Sequence, residues 1–221
     1  MKGLLPIVIV GGGGHATVVM DIINSTSKYN IIGFTDRDPK AHLSGYGIPC
    51  LGDDAILADL PRRGVLHVAI GVGGFNNRRR QVLYERIIDF GLGVPSLIHK
   101  GATVSPFAVV REGAVVMAGA IVGPGTQIAP NVIVNTGAVV DHHCVVGHST
   151  LVGPAATLCG GVRVGERSFI GARACVVQYK NVGEDCVIGA GSVVLTDVAQ
   201  GQTVVGNPAR VLRWNSGDDQ M

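Results

Sequence analysis

The stretch VNTGAVVDHHCVVGHSTLV, residues 134–152, returns to the same kind of side chain every sixth position: Val134, Val140, Val146 and Val152. The register runs on in both directions without an insertion. It takes in Ile98, Val104, Val110, Val116, Val122 and Ile128 before this stretch, and Leu158, Val164, Ile170, Val176, Val182, Ile188 and Val194 after it, seventeen aliphatic residues in all. A helix repeats every 3.6 residues and a strand every two, so a period of six points to a parallel β-helix of hexapeptide repeats. Four residues after most of these positions stands a small side chain, such as Ala114, Ala120, Thr126, Ala138, Thr150, Ala156, Ser168 or Ala174. Gly often follows the aliphatic residue directly, as at Gly123, Gly147, Gly153, Gly165 and Gly171. The spacing predicts a narrow triangular prism. One aliphatic side chain per hexad points inwards, a small residue fills the remaining interior, and Gly, Asn or Asp turns the corner. Three hexads close one coil, so residues eighteen apart stack at ~4.8 Å per coil.

The composition suits this shape. Of 221 residues 33 are Gly and only 5% are aromatic, as expected where the interior is too narrow for rings. A net charge of +2 provides no basic face for a polyanion, which argues against nucleic acid as a partner. The one dense basic run, Arg78-Arg79-Arg80, reads as a solvated helix face. The cysteines Cys50, Cys144, Cys159, Cys175 and Cys186 form no CxxC pair and are odd in number, so neither a disulfide framework nor a metal site is expected. Cys144 and Cys186 fall in the small-residue slot and read as packing. Pro6 and the following glycines make residues 1–10 a buried strand rather than a signal peptide. No apolar run approaches the ~20 residues that span a bilayer. The expectation is a cytoplasmic protein with no membrane insertion.

Residues 1–95 have another rhythm. Ile7-Val8-Ile9-Val10, Ile31-Ile32-Gly33-Phe34 and Leu66-His67-Val68-Ala69-Ile70 read as buried strands, and His15–Ile23 and Asn77–Phe90 as helices. Val18, Val19, Ile22 and Ile23 form the apolar side of the first helix, and Val82, Leu83, Ile87 and Phe90 that of the second. Alternation of strand and helix predicts a small doubly wound, Rossmann-like α/β domain. Gly91 to Pro95 link it to a β-helix domain over 96–213, and 214–221 read as a flexible tail.

Two places carry residues that the fold does not require. In the first domain, Gly11-Gly12-Gly13-Gly14-His15-Ala16 lies between a strand and a helix, where backbone N–H groups approach a phosphate or sugar hydroxyl. Asp36 ends the second strand, the place of a ribose-binding acid. A domain of this size is half a dinucleotide fold and suits one mononucleotide. His15 adds a donor and acceptor at the helix start, or serves only to cap it. In the solenoid, Asp141-His142-His143 follows interior Val140 at a corner, where side chains point outwards. A histidine there suits a general base near neutral pH, and a carboxylate beside it would orient the ring; two merely solvated histidines are the alternative. His148, at the next corner, reads as structural or interfacial.

The whole chain resembles the bacterial sugar acyltransferases of the sialic-acid O-acetyltransferase and bacillosamine N-acetyltransferase type. The matching pieces are Val10 to Ala16, Ala69-Ile70-Gly71, Leu97-Ile98-His99-Lys100, Asn135-Thr136, Val140 to Gly147, and Val205-Gly206-Asn207-Pro208-Ala209-Arg210. The resemblance implies a left-handed β-helix, a homotrimer, and acetyl-CoA as co-substrate in a groove between neighbouring solenoids, with no metal. It implies His142 as general base and Gly160 as a backbone donor to the oxyanion. Gly12, Gly13, Gly14, His15, Asp36, Arg37, Gly71 and Gly73 would line the sugar-nucleotide site. Leu151, Ala172, Lys180 and Ala190 would contact acetyl-CoA. The chain departs from the pattern at one point: His143 stands where a carboxylate usually follows the base, which leaves Asp141, a neighbouring chain or nothing to orient His142. An unassisted base suits an amine more than a hydroxyl. The expected activity is N-acetylation of the 4-amino group of a nucleotide-linked sugar, GDP-linked perosamine first and a UDP-linked 4-amino sugar next, in O-antigen or lipopolysaccharide biosynthesis. O-Acetylation of a sialic acid and a non-catalytic scaffold are the alternatives.

Overall fold

The structure is a computed structural model and describes residues 3–74 and 77–214. Seventeen two-residue strands run from Leu97–Ile98 to Val193–Val194, six residues apart. Each of the first fourteen pairs in parallel with the strand eighteen residues on, Val139 with Thr157 and Val140 with Leu158, for example. The strands build three flat sheets, the faces of a prism of about six coils. The first face holds Leu97–Ile98 and its stack, the second Thr103–Val104 and its stack, the third Val109–Val110 and its stack. Every inward aliphatic residue from Val116 to Val194 is at most 3% exposed. Ile98, Val104 and Val110 are only partly buried, because they belong to the first coil and no coil lies beneath them.

The corners work differently from the expectation. The left-handed residue of each turn lies three positions after the inward aliphatic, not directly after it. Gly113, Gly119, Gly125, Gly137, Gly161 and Gly191 fill that position, and so do Asn131, His143, Ser149, Ala155, Arg167, Arg173, Tyr179 and Asp185 with φ of 53–60°. The Gly directly after the aliphatic serves close approach between coils. A Cβ on Gly147 would lie 2.7 Å from the Glu166 nitrogen, and one on Gly153 2.6 Å from the Ile170 oxygen.

Before the solenoid, three parallel strands form a sheet in the order β2-β1-β3: β1 (Leu5–Val10), β2 (Tyr29–Thr35) and β3 (His67–Ile70). Helix α1 (Gly14–Thr26) packs with Ile7 and Ile9, while Tyr84 and Ile87 of α2 (Asn77–Asp89) pack with Val8 and Val10 on the opposite face. The α1 cluster continues into the outward side chains of the solenoid's first face, Leu97, Val115, Ile133, Leu151 and Phe169. Burying side chains of this size is worth ~1.5–3 kcal/mol each, so the two units are packed together rather than tethered.

Helix α2 is rotated from the expected orientation. Its buried stripe is Asn77, Arg80, Tyr84 and Ile87, and Val82 is 59% exposed. The arginine run is therefore not wholly a solvated face: Arg80 is 2% exposed. The reason lies in the solenoid corner opposite, whose carbonyls need donors. Asn77 Nδ2 donates to the carbonyls of Arg167 and Ser168 at 3.1 and 2.9 Å, and Arg80 Nε to that of Asn131 at 3.4 Å. Beyond the prism, the strand Gln202–Val205 adds to the first face and Arg210–Trp214 folds back against it, so Trp214 is paired rather than frayed. The rest of the expected tail, 215–221, lies outside the described residues.

Candidate active site

The glycine turn divides its tasks. Gly11 adopts φ 92° and lies against Val72. A Cβ on Gly12 would meet the Phe34 ring at 2.5 Å, whereas Gly13 and Gly14 face open space. Gly13 caps α1 without a side-chain bond, so the helix N-terminus and its N–H groups face outwards, the arrangement that receives a phosphate. Beside the turn, a cleft of about 350 Å³ is lined by Gly11, Thr35, Asp36, Arg37, Asp54 and Arg86 among others.

Asp36 differs from a free ribose acid. Its Oδ2 accepts the Gly12 N–H at 2.8 Å and its Oδ1 the Asp38 N–H at 2.9 Å, so the carboxylate first of all holds the turn. His15 differs more. Its ring lies under Gly73, where a Cβ would sit 2.6 Å from it, and its Nε2 is buried with no partner among the described residues. Burial, and then the Arg80 cation, pull its pKa from 6.5 down to about 3. It is a neutral ring wedged between the two glycine turns. Gly71 is as tightly placed, its Cβ position 2.7 Å from Ala16.

Arg80 is the residue that the sequence did not single out. Its Nη1 donates to the carbonyls of Val72 and Ile70 at 2.6 and 3.2 Å, on either side of Gly71. Burial lowers its pKa to about 9, still well above neutrality, so a cation underlies the turn and favours an anion above it. Three consecutive arginines are chemically alike, and only the helix phase distinguishes this one. His148 is structural, as expected: its Nδ1 pairs with Ser149 Oγ at 2.8 Å and its ring stands edge-on to Tyr84.

At the second corner of the prism, Asp141-His142-His143 is fixed from both sides. Thr126, one coil below, donates to the Asp141 carbonyl at 2.6 Å and accepts the Cys144 N–H at 3.2 Å. His143 N–H donates to Pro124 O, and Gly161 N–H to His142 O, both at 2.9 Å. The His142 imidazole reaches up to Gly160, its Nε2 so close that a Gly160 Cβ would clash with it. The Gly160 N–H finds no acceptor among the described residues. An imidazole and a backbone N–H therefore share one outward corner, an arrangement that can both take up a proton and stabilise an oxyanion. Asp141 does not orient the ring. Its Oδ1 accepts the backbone N–H of His142 at 2.7 Å.

The remaining expected contacts do not gather here. Ala172 and Ala190 stack eighteen apart on the first corner, a different edge of the prism. Lys180 lies on the His142 edge, in a slot that one coil earlier holds Val162 and two coils earlier Cys144. Leu151 is 5% exposed in the seam with α1, and its N–H bonds Ser168 O, so its side chain is not open to a co-substrate. Burial raises the Cys144 thiol to about 11 and also raises Cys159, so neither is a thiolate near neutral pH. Among the described residues no cluster of three or more His, Cys, Asp or Glu is placed to hold a metal ion, and no helix is long and apolar enough to cross a membrane.

With this geometry in hand, comparison with known proteins is specific. The PglD N-terminal domain family matches residues 6–87. Perosamine N-acetyltransferase from Caulobacter crescentus, crystallised with CoA and GDP-perosamine in variants with one histidine replaced, is 38% identical, with a TM-score of 0.89 over 94% of this chain and 97% of that one. The acetyltransferase domain of PglB from Neisseria gonorrhoeae FA1090, in complex with acetyl coenzyme A, is also 38% identical, with a TM-score of 0.88 over 95% of this chain and 100% of that one. WeeI from Acinetobacter baumannii AYE, 19% identical with a TM-score of 0.55, shares the fold.

Proposed function

The chain belongs to the hexapeptide-repeat sugar acetyltransferases that include these two enzymes, and from that premise we propose that it acetylates the 4-amino group of a nucleotide-linked sugar, GDP-perosamine in the first place, from acetyl-CoA. The carrying observation is the pairing of His142 with Gly160 at one outward corner, in a chain similar from end to end to an enzyme crystallised with CoA and GDP-perosamine. His142 Nε2 takes a proton from the amine nitrogen as that nitrogen bonds to the thioester carbon. The Gly160 N–H faces the developing oxyanion. On collapse the C–S bond breaks and the CoA thiolate recovers the proton. Transfer is direct, since the neighbouring thiols are held protonated.

The layout of the prism supports a site shared between copies. The α/β layer covers the first face, and α2 reaches the corner that holds Asn131 and Ser168. His142 stands on the corner between the second and third faces, opposite that covered face. A sugar hanging from the glycine turn of one chain therefore approaches the base of another. Ala172 and Ala190, on a third edge, contribute to a groove with His142 only across copies. A closed ring of three meets both demands, and the expected homotrimer is the proposed assembly. This substrate pair suits a cytoplasmic enzyme that serves the assembly of a surface polysaccharide such as an O-antigen.

The test is a panel of GDP- and UDP-linked 4-amino sugars with acetyl-CoA, read by mass spectrometry for one added acetyl group. Acetylation of GDP-perosamine is expected, and its absence with every amino sugar would end this reading. For the shared site, His142→Asn mixed and reassembled with Gly14→Asp should regain activity that neither variant has alone. Failure of exchanged trimers to do so would place both halves of the site within one chain.

A further inference from the structure

Asp141 is committed to the backbone, yet the His142 ring is not left unheld. Its Nδ1 lies 3.1 Å from Nδ1 of His143, with the rings edge-on at 80° and their centroids 5.3 Å apart. We infer that His143 is the positioning partner of His142: a neutral imidazole whose Nδ1 accepts the His142 Nδ1–H, so that His142 Nε2 is left unprotonated and aimed at Gly160. The inference rests on the reading of His142 as the base.

One proton must lie between two nitrogens at that separation. On His142 Nδ1, it leaves Nε2 free to accept. On His143 Nδ1, it puts the other proton of neutral His142 on Nε2, and the base is lost. The ring of His143 is placed to enforce one geometry. It occupies the left-handed corner position with φ 58°, its N–H is tied to Pro124 O, and its edge rests on Gly125, whose Cβ position is 2.8 Å from His143 Cδ2. The stack Gly125, His143, Gly161, Tyr179 alternates glycine with a ring, so each ring has a bare backbone beneath it.

Few charges face the pair. The coil below brings Pro124 and Gly125, neither titratable, and the coils above bring Cys159 and Tyr179. Cys144 points inwards, and Asp141 on the same corner is the one carboxylate in the group. When His142 takes the amine proton, its charge is shared with a second imidazole instead of being neutralised by a carboxylate. Once His143 itself is protonated, its Nδ1 can no longer accept and the pair opens.

The repeat itself supplies variants that keep the fold. Asn131 holds the same corner position with φ 60°, and Gly161 does so with φ 70°, so His143→Asn and His143→Gly suit the backbone. Asn presents a carbonyl acceptor and Gly none. The experiment is nitrogen-15 NMR of the histidine tautomers, without substrate, on the full-length protein and both variants, together with steady-state kinetics on GDP-perosamine and acetyl-CoA. In the parent, His142 is expected as the Nδ1–H tautomer. H143G should shift it towards Nε2–H and lower kcat roughly ten-fold or more, with both KM values within about two-fold. H143N should recover most of that loss. An Nε2–H tautomer at His142 in the parent, or an unchanged tautomer and kcat in H143G, would overturn the inference. Because the NMR needs no substrate, the expected tautomers without acetylation of any amino sugar would sink the functional reading and leave the pair standing.

Discussion

Two Gly→Ala substitutions separate catalysis from folding at the same corner. At Gly160 the backbone is outside the left-handed region, and the three nearest atoms to an added Cβ all belong to the His142 ring: Nε2, Cε1 at 2.5 Å and Cδ2 at 3.2 Å. Ordinary carbon contacts lie at ~3.5–4.0 Å, so the ring must retreat by about 1 Å or more. It can do so by rotating into solvent, at a cost to stability below ~1 kcal/mol. For catalysis such a displacement is severe, since ~1 Å of misplacement is worth ~10²-fold in rate. Gly160→Ala should therefore lower kcat about 10²-fold while its melting temperature stays within ~3 °C of the parent. At Gly123 the added Cβ lies 2.7 Å from the His142 nitrogen and 2.8 Å from the Asp141 carbonyl carbon, and backbone cannot rotate away. Gly123→Ala should cost ~1–3 kcal/mol by prising the coils apart, and lower the melting temperature by several degrees. The assays are initial rates with saturating acetyl-CoA and thermal unfolding of both variants. A Gly160→Ala enzyme with the parent's kcat would refute the placement of His142. A melting point as low as that of Gly123→Ala would show that Gly160 is there for packing.

His15 and Arg80 make predictions about stability. His15 has a folded pKa of about 3 against 6.5 in the unfolded chain, so between these values the unfolded state binds the extra proton. Its contribution is complete above pH 6.5 and is lost as the pH falls, by ~2 kcal/mol at pH 5. Urea unfolding at pH 8 and pH 5 should show that difference shrink in His15→Gln, and equal slopes in both proteins would contradict the burial. Arg80→Ala strips the donor from the carbonyls of Ile70, Val72 and Asn131 and should cost ~3 kcal/mol or more. The exposed neighbour Arg78→Ala should stay within ~0.5 kcal/mol, and similar losses from both would mean that the α2 seam is not what Arg80 holds.

What the sequence revealed follows from which positions obey a strict repeat. An inward residue in a prism has no alternative neighbour, so Val116 to Val194 announce themselves. The outward residue just before each is free to vary with its surroundings. On the third face it reads Val109, Gln127, Val145, Arg163 and Asn181, a mixed set, and on the first face Leu97, Val115, Ile133, Leu151 and Phe169, all apolar. That column is the footprint of the α/β layer, visible only when the eighteen-residue spacing is read for outward positions as well. Leu151 belongs to that column and is buried in the seam with α1.

The glycines near the chemistry were legible as glycines but not in their tasks. Gly after an aliphatic residue suggested a bend, whereas the bend is three residues on and side chains as large as Tyr179 and Arg167 accept it. A left-handed position open to non-glycine residues is what allows a histidine at 143 at all. With His143 there, the carboxylate that ordinarily assists such a base has no place, and Asp141, one residue before His142, is taken by the backbone. In the proposed mechanism His142 therefore works with a neutral partner, adequate for an amine that needs only one proton removed and weak for a hydroxyl that must be activated before it attacks.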